Sequence, residues 1–452
     1  MPRVRFDRLK SEYRLIRACL DGEQAIRDAG QLYTPKPSAM QPDDYVAYLA
    51  RGSFYDAPAA TLRLMTGLAL RKDPILHLPA RLEPLRLRAT VDKAPFQIMV
   101  EDIVREVLAM GRYGLLLDFP RAGNTALTTP HFVGFNAENI DEVETAYVDG
   151  MLEVVRVVLA TDERHDGADV FLELALEDSI YQIRRFVRQG PSEKRVDIEE
   201  GIIPQVNGRA LDFIPFLMVS HQGIRPSDVR PPFSGLCRVA LSHFRNSCDR
   251  EHAIFLTSAP TPWVSGSLTE DRIPRAIGAG ALWVLPEGAQ VGMLEFTGAG
   301  VSAMKELMEE KIEVMAQLGA RMLTTTVNRN ESIETATQRT RGELSLLHGT
   351  VVSVEAGINK LLRIAAEWVG APPAEAHVEM SRDFIEATLN GKQIEGLVKL
   401  WQSGGISHRT LYENLQAGEV ASPDRTFEQE REMIADEGGD MGVTMLRLPV
   451  AS

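Results

Sequence analysis

Cysteine is nearly missing from this chain. Cys19, Cys237 and Cys248 are its only three. They are odd in number and scattered, which excludes a disulfide framework and a CxxC metal site and fits a reducing compartment. Long apolar runs are missing as well. The N-terminus, "MPRVRFDRLKSEYRLIRACL", is basic but broken by charges throughout, so it lacks the apolar centre of a signal peptide, and no stretch is long enough to span a bilayer. A soluble protein made in the cytoplasm, with no membrane partner, is expected. Positive charge is also short: 49 Lys and Arg stand against 63 Asp and Glu, for a formal net charge of −14. Phosphate neutralisation needs clustered Lys and Arg, so a surface that wraps nucleic acid is excluded.

Recognisable chemistry is absent from the sequence. It holds no GxxxxGK[ST], HExxH, GxSxG or strand-flanked GxGxxG, hence no phosphate cradle, zinc-protease helix or nucleophile elbow. The glycine pairs of "IGAGALW" and "FTGAGVS" read as turns. With no nucleophile beside a base, the expectation is a protein that is not an enzyme and needs neither cofactor nor metal.

What remains is ample material for a core. The 452 residues amount to roughly three domain-equivalents, and 44% hydrophobic with 25% charged residues is ordinary for a globular chain. "SEYRLIRACLDGEQAIRDAG" has helical apolar spacing and stops at Gly30. "DDYVAYLARGSFYDAPAATLRLMTGLALRKDP" is dense in Tyr, Phe, Leu and Ala and reads as two helices broken at Pro58. Asp43 and Asp44 suit the positive end of that stretch, and Arg71 and Lys72 the negative end. "FQIMVEDIVREVLAMGRYG" predicts a further helix running into the strand "LLLDF". From Asp141 the apolar period falls to two. Asp149-Gly150 and Asn207-Gly208 sit between strand-like runs, and "DVFLELALE" with "SIYQIRRFVRQ" makes another hairpin. An antiparallel sheet over 141 to about 219 is therefore predicted.

Helix returns at "FSGLCRVALSHFRNSCDREHAIFLTS", followed by a Pro- and Gly-punctuated, strand-rich insert. In the next helix Val301, Met304, Met308, Ile312, Met315, Leu318 and Met322 share one face, with Lys305, Glu306, Glu309, Glu310, Glu313 and Gln317 mostly on the other. After the polar loop "TTTVNRNES", a strict three-four alternation runs through Leu344, Leu347, Val351, Val354, Ile358, Leu361, Ala365 and Trp368. A strand, "AHVEMSRDF", short helices and an acidic end complete the chain. The fold class is α+β.

Four features invite a functional reading. Asp162, Glu163, His165, Asp166 and Asp169 gather in one loop that could hold a divalent cation, but Asp166-Gly167 is itself a turn dipeptide, so a solvated hairpin tip explains it. Cys248 and His252 lie four apart on a helix, which is too few ligands for zinc. The Met stripe suits a binding groove or, more ordinarily, core or subunit packing. "GGISHRTLYENLQAGE" imitates a helix-turn-helix, yet its second helix has Arg409 as its one fixed positive charge and soon meets Glu413 and Glu419.

Taken in order, "SEYRLIRACLDGEQAIRDAGQLYTP", the Asp43 to Pro74 stretch, "LTSAPTPWVSG", "IGAGALWVLPEGAQVGMLEFTGAG", "MAQLGARML" and "GGISHRTLYENLQAGEV" resemble the tailed-bacteriophage portal proteins, or head-tail connectors, over nearly the whole chain. The resemblance implies a mostly helical portal fold: 1–140 as the N-terminal helical part, 141–233 as a β-rich wing, and 234–258 and 300–322 as stem helices around a clip at 259–299. It further implies a tunnel loop at 323–332, a long core helix with a return strand at 333–382, a short crown at 383–435 and an acidic tail at 436–452. Thr324, Thr325, Thr326, Asn328, Arg329 and Asn330 would face DNA. Trp263, Trp283, Pro286 and Glu287 would meet a partner at the clip, and Tyr45, Tyr48, Phe54 and Tyr55 would pack between subunits. The implied function is a homo-oligomeric ring, a dodecamer, at the capsid vertex of a virion assembled in host cytoplasm. Double-stranded DNA would pass through it without sequence preference during packaging and ejection, and its partners would be the terminase large subunit, a head-tail adaptor, and major capsid and scaffolding proteins. Another capsid-associated adaptor or scaffold, a helix-turn-helix regulator and a hydrolase built on the acidic loop are the alternatives.

Overall fold

The computed structural model describes residues 3–118, 129–148, 150–190, 193–206, 209–258, 261–266, 283–294, 299–319, 333–384, 391–403, 405–417, 420–422 and 425–438. They belong to two compact units, Met1–Arg382 and Asp383–Ser452.

The first unit opens with strand β1 (Arg3–Arg5) and helices α1 (Lys10–Asp21) and α2 (Glu23–Ala29), so the helix expected to run unbroken to Gly30 is divided at Gly22. Next come α3 (Pro42–Arg51) and α4 (Ala57–Ala69). Pro58 does not break this pair. It lies in the first turn of α4, where a missing N–H costs nothing because that donor has no intrahelical partner. Strand β2 (Ile75–His77) leads to α5 (Phe96–Met110), an amphipathic helix that exposes Gln97, Glu101, Asp102 and Arg105 and is buried at Ile103, Val104, Val107 and Leu108.

Two sheets follow. The sequence places every strand from Asp141 to about Val219 in one sheet, but the structure divides them. β3 (Arg112–Asp118) and β4 (His131–Phe135) form a three-stranded sheet with β12 (Phe216–Ser220), in the order β12-β3-β4. The larger sheet holds β5 (Ile140–Val148), β6 (Met151–His165), β7 (Ala168–Glu177), β8 (Ile180–Gln189) and β9 (Lys194–Asp197), in the order β1-β5-β6-β7-β8-β9 and antiparallel throughout. The short pair β10 (Gln205–Val206) and β11 (Arg209–Ala210) stands apart. The difference has a physical cause. β12 is buried at all five positions, so it suits a sheet covered by helices, whereas the larger sheet alternates polar and apolar positions.

Buried charge ties the larger sheet together. Glu173 on β7, almost fully buried, lies 2.6 Å from Arg156 and 2.7 Å from Arg195, on β6 and β9. Burial alone would raise its pKa, but these two guanidinium groups hold it below the usual carboxylate range. At the β1 edge, Asp141 takes Lys10 and Arg188, each at 2.5 Å, and its pKa is lowered against burial in the same way.

The rest of the unit is α6 (Ser234–Thr257), the strand pair β13 (Thr261–Ser265) and β14 (Gln290–Leu294), α7 (Ala299–Gln317), α8 (Ile333–Trp368) and β15 (His377–Glu379). α8 buries Leu347, Val351, Val354, Ile358, Leu361 and Ala365 against α4, α5 and β12, while Trp368 stays half-buried. The strand expected over "AHVEMSRDF" shortens to β15, which pairs with β2. The core therefore lies among α1, α4, α5, α6, α8 and the three-stranded sheet.

The second unit holds α9 (Gly391–Gln402), α10 (His408–Ala417) and α11 (Phe427–Gly438). The Trp401 ring stacks on His408, whose other contact is the edge of Phe427. Arg409, the one fixed positive charge on the helix-turn-helix look-alike, is bound to Glu428 and lies over the Phe427 ring. Its guanidinium is neutralised inside the unit.

Candidate interaction surface

The surface begins at α6, whose two halves differ. From Ser234 to Cys248 it is core: Leu236, Cys237, Ala240, Leu241, Phe244 and Cys248 are buried. Beyond Cys248 no residue of the helix is fully buried, so its last turns leave the core. α7 returns alongside. Gly235 faces Leu318 and the Lys311 ammonium donates to the Ser242 carbonyl at 3.2 Å, so the residue numbers fall on one helix as they rise on the other and the pair is antiparallel. Of the Met stripe, Met315 is fully buried, and Val301, Met304, Met308 and Ile312 are half-buried. The stripe serves the α6 contact, while Met322 lies outside the described residues.

A second flank of α7 escaped the sequence reading. Leu307 and Val314, on neither the Met stripe nor the acidic face, fall within about 40° of Leu318, the exposed edge of that stripe, at 100° per residue. With Phe255 and Leu256 on α6 and Trp263 on β13 they are 40 to 61% exposed. The signal was present in the spacing of seven and four, but it is hidden by the stronger Met periodicity next to it. Glu306, Glu309, Glu310 and Glu313 are exposed elsewhere around the helix, with Lys305 beside Glu309 at 3.7 Å.

At the far end, β13 pairs β14 with Trp263 opposite Gly292. A Cβ on Gly292 would come within 2.8 Å of the Trp263 indole nitrogen, so the glycine is what lets the ring lie across the partner strand. Trp283 and Pro286 are half-buried and Glu287 is exposed. Thr324, Thr325, Thr326, Asn328, Arg329 and Asn330 lie outside the described residues.

Tyr45, Tyr48, Phe54 and Tyr55 take a different place from the expected seam between subunits. The first three are buried within the chain. The Tyr45 hydroxyl donates to the Thr34 carbonyl, and that of Tyr48 donates to Asp249 at 2.6 Å. Phe54 meets the edge of Phe244. The Tyr48 ring also meets His252, and the Arg51 guanidinium lies 3.7 Å over the Phe255 ring. Gly52 closes the arrangement, since a Cβ there would sit 2.2 Å from the Cys248 sulfur. Burial pushes the Cys248 thiol up to about 12 and raises the Tyr48 phenol, so neither is ionised at neutral pH. This apolar stretch braces the root of α6, and Tyr55, 38% exposed, is the one of the four rings left at the surface. Cys248 and His252 are helix packing of the ordinary kind.

The acidic loop is the tip of the β6–β7 hairpin. Asp166 and Gly167 have φ of +49° and +79°, as a tight turn demands, and Arg164 lies 3.2 Å from Asp169.

Residues 232–369, from the start of α6 to the end of α8, match a family described as Domain of unknown function (DUF4055). No curated protein matches the chain. Among solved structures, one described as the neck of a native GTA particle computed with C12 symmetry matches at 13% identity and a TM-score of 0.44, covering 86% of this chain and 98% of that one. Another, the neck of an empty GTA particle computed with C6 symmetry, matches at 13% identity and 0.40, covering 89% and 99%. Both TM-scores fall below one half, and at that level the likeness says nothing about function.

Proposed function

We propose that this chain is a portal protein: copies of it, twelve in the family it resembles, close into a ring at one capsid vertex of a tailed phage or phage-like particle. Double-stranded DNA passes through the channel in packaging and ejection. The observation that carries the reading is the α6–α7 arm. One face of each helix is committed to the other, yet apolar side chains from both helices and from the hairpin beyond them stay uncovered. Apolar exposure along an arm of that kind suits a surface meant for a partner, and a closed ring needs two complementary surfaces on every copy. The order of helix, strand-rich insert, helix and long helix agrees with the stem, clip, stem and core order that the sequence resemblance implies.

The charge pattern supports passage rather than capture. Glu306, Glu310 and Glu313, repeated around a ring, repel phosphate and keep a duplex from sticking to the wall. Arg329, Asn328, Asn330 and Thr324 to Thr326 contribute brief, sequence-blind phosphate contacts. The clip residues Trp263, Trp283, Pro286 and Glu287 meet the head-tail adaptor and the terminase. That separate ATPase supplies the energy, and the ring itself catalyses nothing. The regulator reading is set aside because Arg409 is already paired with Glu428.

Native mass spectrometry with negative-stain imaging of the purified chain tests the proposal. A hollow ring of about twelve copies, the closed cyclic state that heterologous contacts produce, is the expected result. A monomer or dimer that persists at high concentration with scaffolding protein present would overturn it.

A further inference from the structure

The strand pair β2–β15 joins residues three hundred positions apart, and it sets out an arrangement that no local motif contains. His77 and His377 are direct cross-strand partners. Directly opposed side chains in an antiparallel pair share a face, and a residue two positions along shares it too, so Glu379 stands on that face with them. Leu76 and Val378 point the other way and are buried. The two imidazole rings stack with centroids 4.5 Å apart. One donor atom from each of His77, His377 and Glu379 lies within 4.8 Å of the other two.

We propose that His77, His377 and Glu379 form a binding site for a borderline divalent transition-metal ion, with Zn2+ as its natural class. Three features support this beyond proximity. The Nδ1 of His377 lies 3.2 Å from the Ala374 carbonyl oxygen, which can only accept. Nδ1 therefore carries the proton, and Nε2 presents its lone pair to the cluster, as in metal-ligating histidines whose far nitrogen donates to a backbone carbonyl. That Nε2 lies 3.5 Å from Glu379 Oε1. Bonds to zinc of about 2.0–2.1 Å at a tetrahedral angle place two donors about 3.3–3.4 Å apart, so this edge of the site is near its bound geometry already. The strand bearing two of the ligands is also held rigidly. Asn359 on α8 accepts from the Val378 N–H at 2.7 Å and donates to its carbonyl at 3.0 Å, and Glu355 accepts from the Met380 N–H at 3.1 Å.

Two imidazoles and one carboxylate favour zinc, cobalt or nickel over magnesium or calcium, which prefer all-oxygen shells. The ion would fasten the segment after α4 to the segment after α8, and this holds whether or not the chain forms a ring.

The test is titration of the metal-stripped full-length protein with ZnCl2 at pH 7.5, by calorimetry and by thermal melting, with MgCl2 as the comparison. The expected result is one zinc per chain at the tightest site, with a rise in Tm that MgCl2 does not reproduce. His77→Gln and His377→Gln should each weaken that site by at least about tenfold, the lower end of what disturbing a metal shell costs. His165→Gln, at the β6–β7 hairpin tip, should leave it unchanged. If His377→Gln fails to fold, the exposed Glu379→Gln carries the same comparison. Absence of stoichiometric zinc binding, or binding untouched by the two histidine variants, would refute the site; equal affinity for Mg2+ would refute its assignment to transition metals.

Discussion

Arg17 shows how a single side chain can hold two elements at once. Its guanidinium forms a fork to Glu106 at 2.7 and 2.9 Å and reaches Glu138 at 2.7 Å. Arg17→Ala would strand Glu106, nearly buried, without a partner, and a loss of about 2–3 kcal/mol is expected, discounted for the partial exposure of the arginine; urea unfolding of the variant measures it. Titration gives a second prediction at this scale. His221 and His243 are both held below the ordinary histidine value of 6.5, chiefly by burial, helped by Arg112 and Lys311 respectively. The unfolded chain binds their protons first, so stability is full above pH 6.5 and declines as pH falls through 6.5 toward the lowered native values. Asp141 and Glu173, lowered by their cations, contribute stability above the ordinary carboxylate values that is lost as pH falls through their native ones. Thermal midpoints from pH 8 to 3 should therefore drop in two stages. His221→Gln with His243→Gln should flatten the first and leave the second, and a single stage near pH 4 in the unaltered protein would contradict the assignment.

At the scale of elements, the β13–β14 hairpin depends on the Trp263 ring lying across Gly292. Gly292→Val should push the indole into water, red-shift its emission and leave the main thermal transition within about 2 °C, because the hairpin stands outside the core; an unshifted emission would show that the ring rests elsewhere. Elements with a strong local period were legible in the sequence. The three-four alternation from Leu347 to Ala365 determines the buried side of α8, and the pairing of Val148 with Met151 is what the Asp149-Gly150 dipeptide between them in the sequence predicts. Features decided by distant partners were not legible. Phe216 to Ser220 carries no mark of its pairing with β3 rather than with its sequence neighbours, because an apolar run buried on both faces fits any covered sheet. Tyr45, Tyr48 and Phe54 read equally well as inner or outer surface, since the choice is made by Asp249, Phe244 and Cys248, about two hundred residues away. His77 and His377 are isolated histidines until β2 meets β15.

At the scale of the whole molecule, the exposed flank of α7 makes the sharpest prediction. If the proposed ring forms through this flank, Leu307→Ser, Val314→Ser and Leu318→Ser together should abolish it while changing the monomer's stability by no more than about 0.5 kcal/mol per site, as for exposed positions generally. Native mass spectrometry and circular dichroism on the same sample separate the two effects, and rings formed at the usual concentration would remove this flank from the interface. The β2–β15 pair has a consequence in time as well as in space. Until residue 369 has been synthesised the Arg81 contact to the Val369 carbonyl cannot form, and until residue 379 has followed it β2 lacks its β15 partner. At about 5–20 residues per second, the ribosome needs roughly 15–60 s to add the three hundred residues between the two strands. Nascent chains halted before Ala371 should keep the segment around β2 open to protease, and chains extended past Asp383 should close it. A chain finished in this order closes the segment around β2 only near the end of its synthesis.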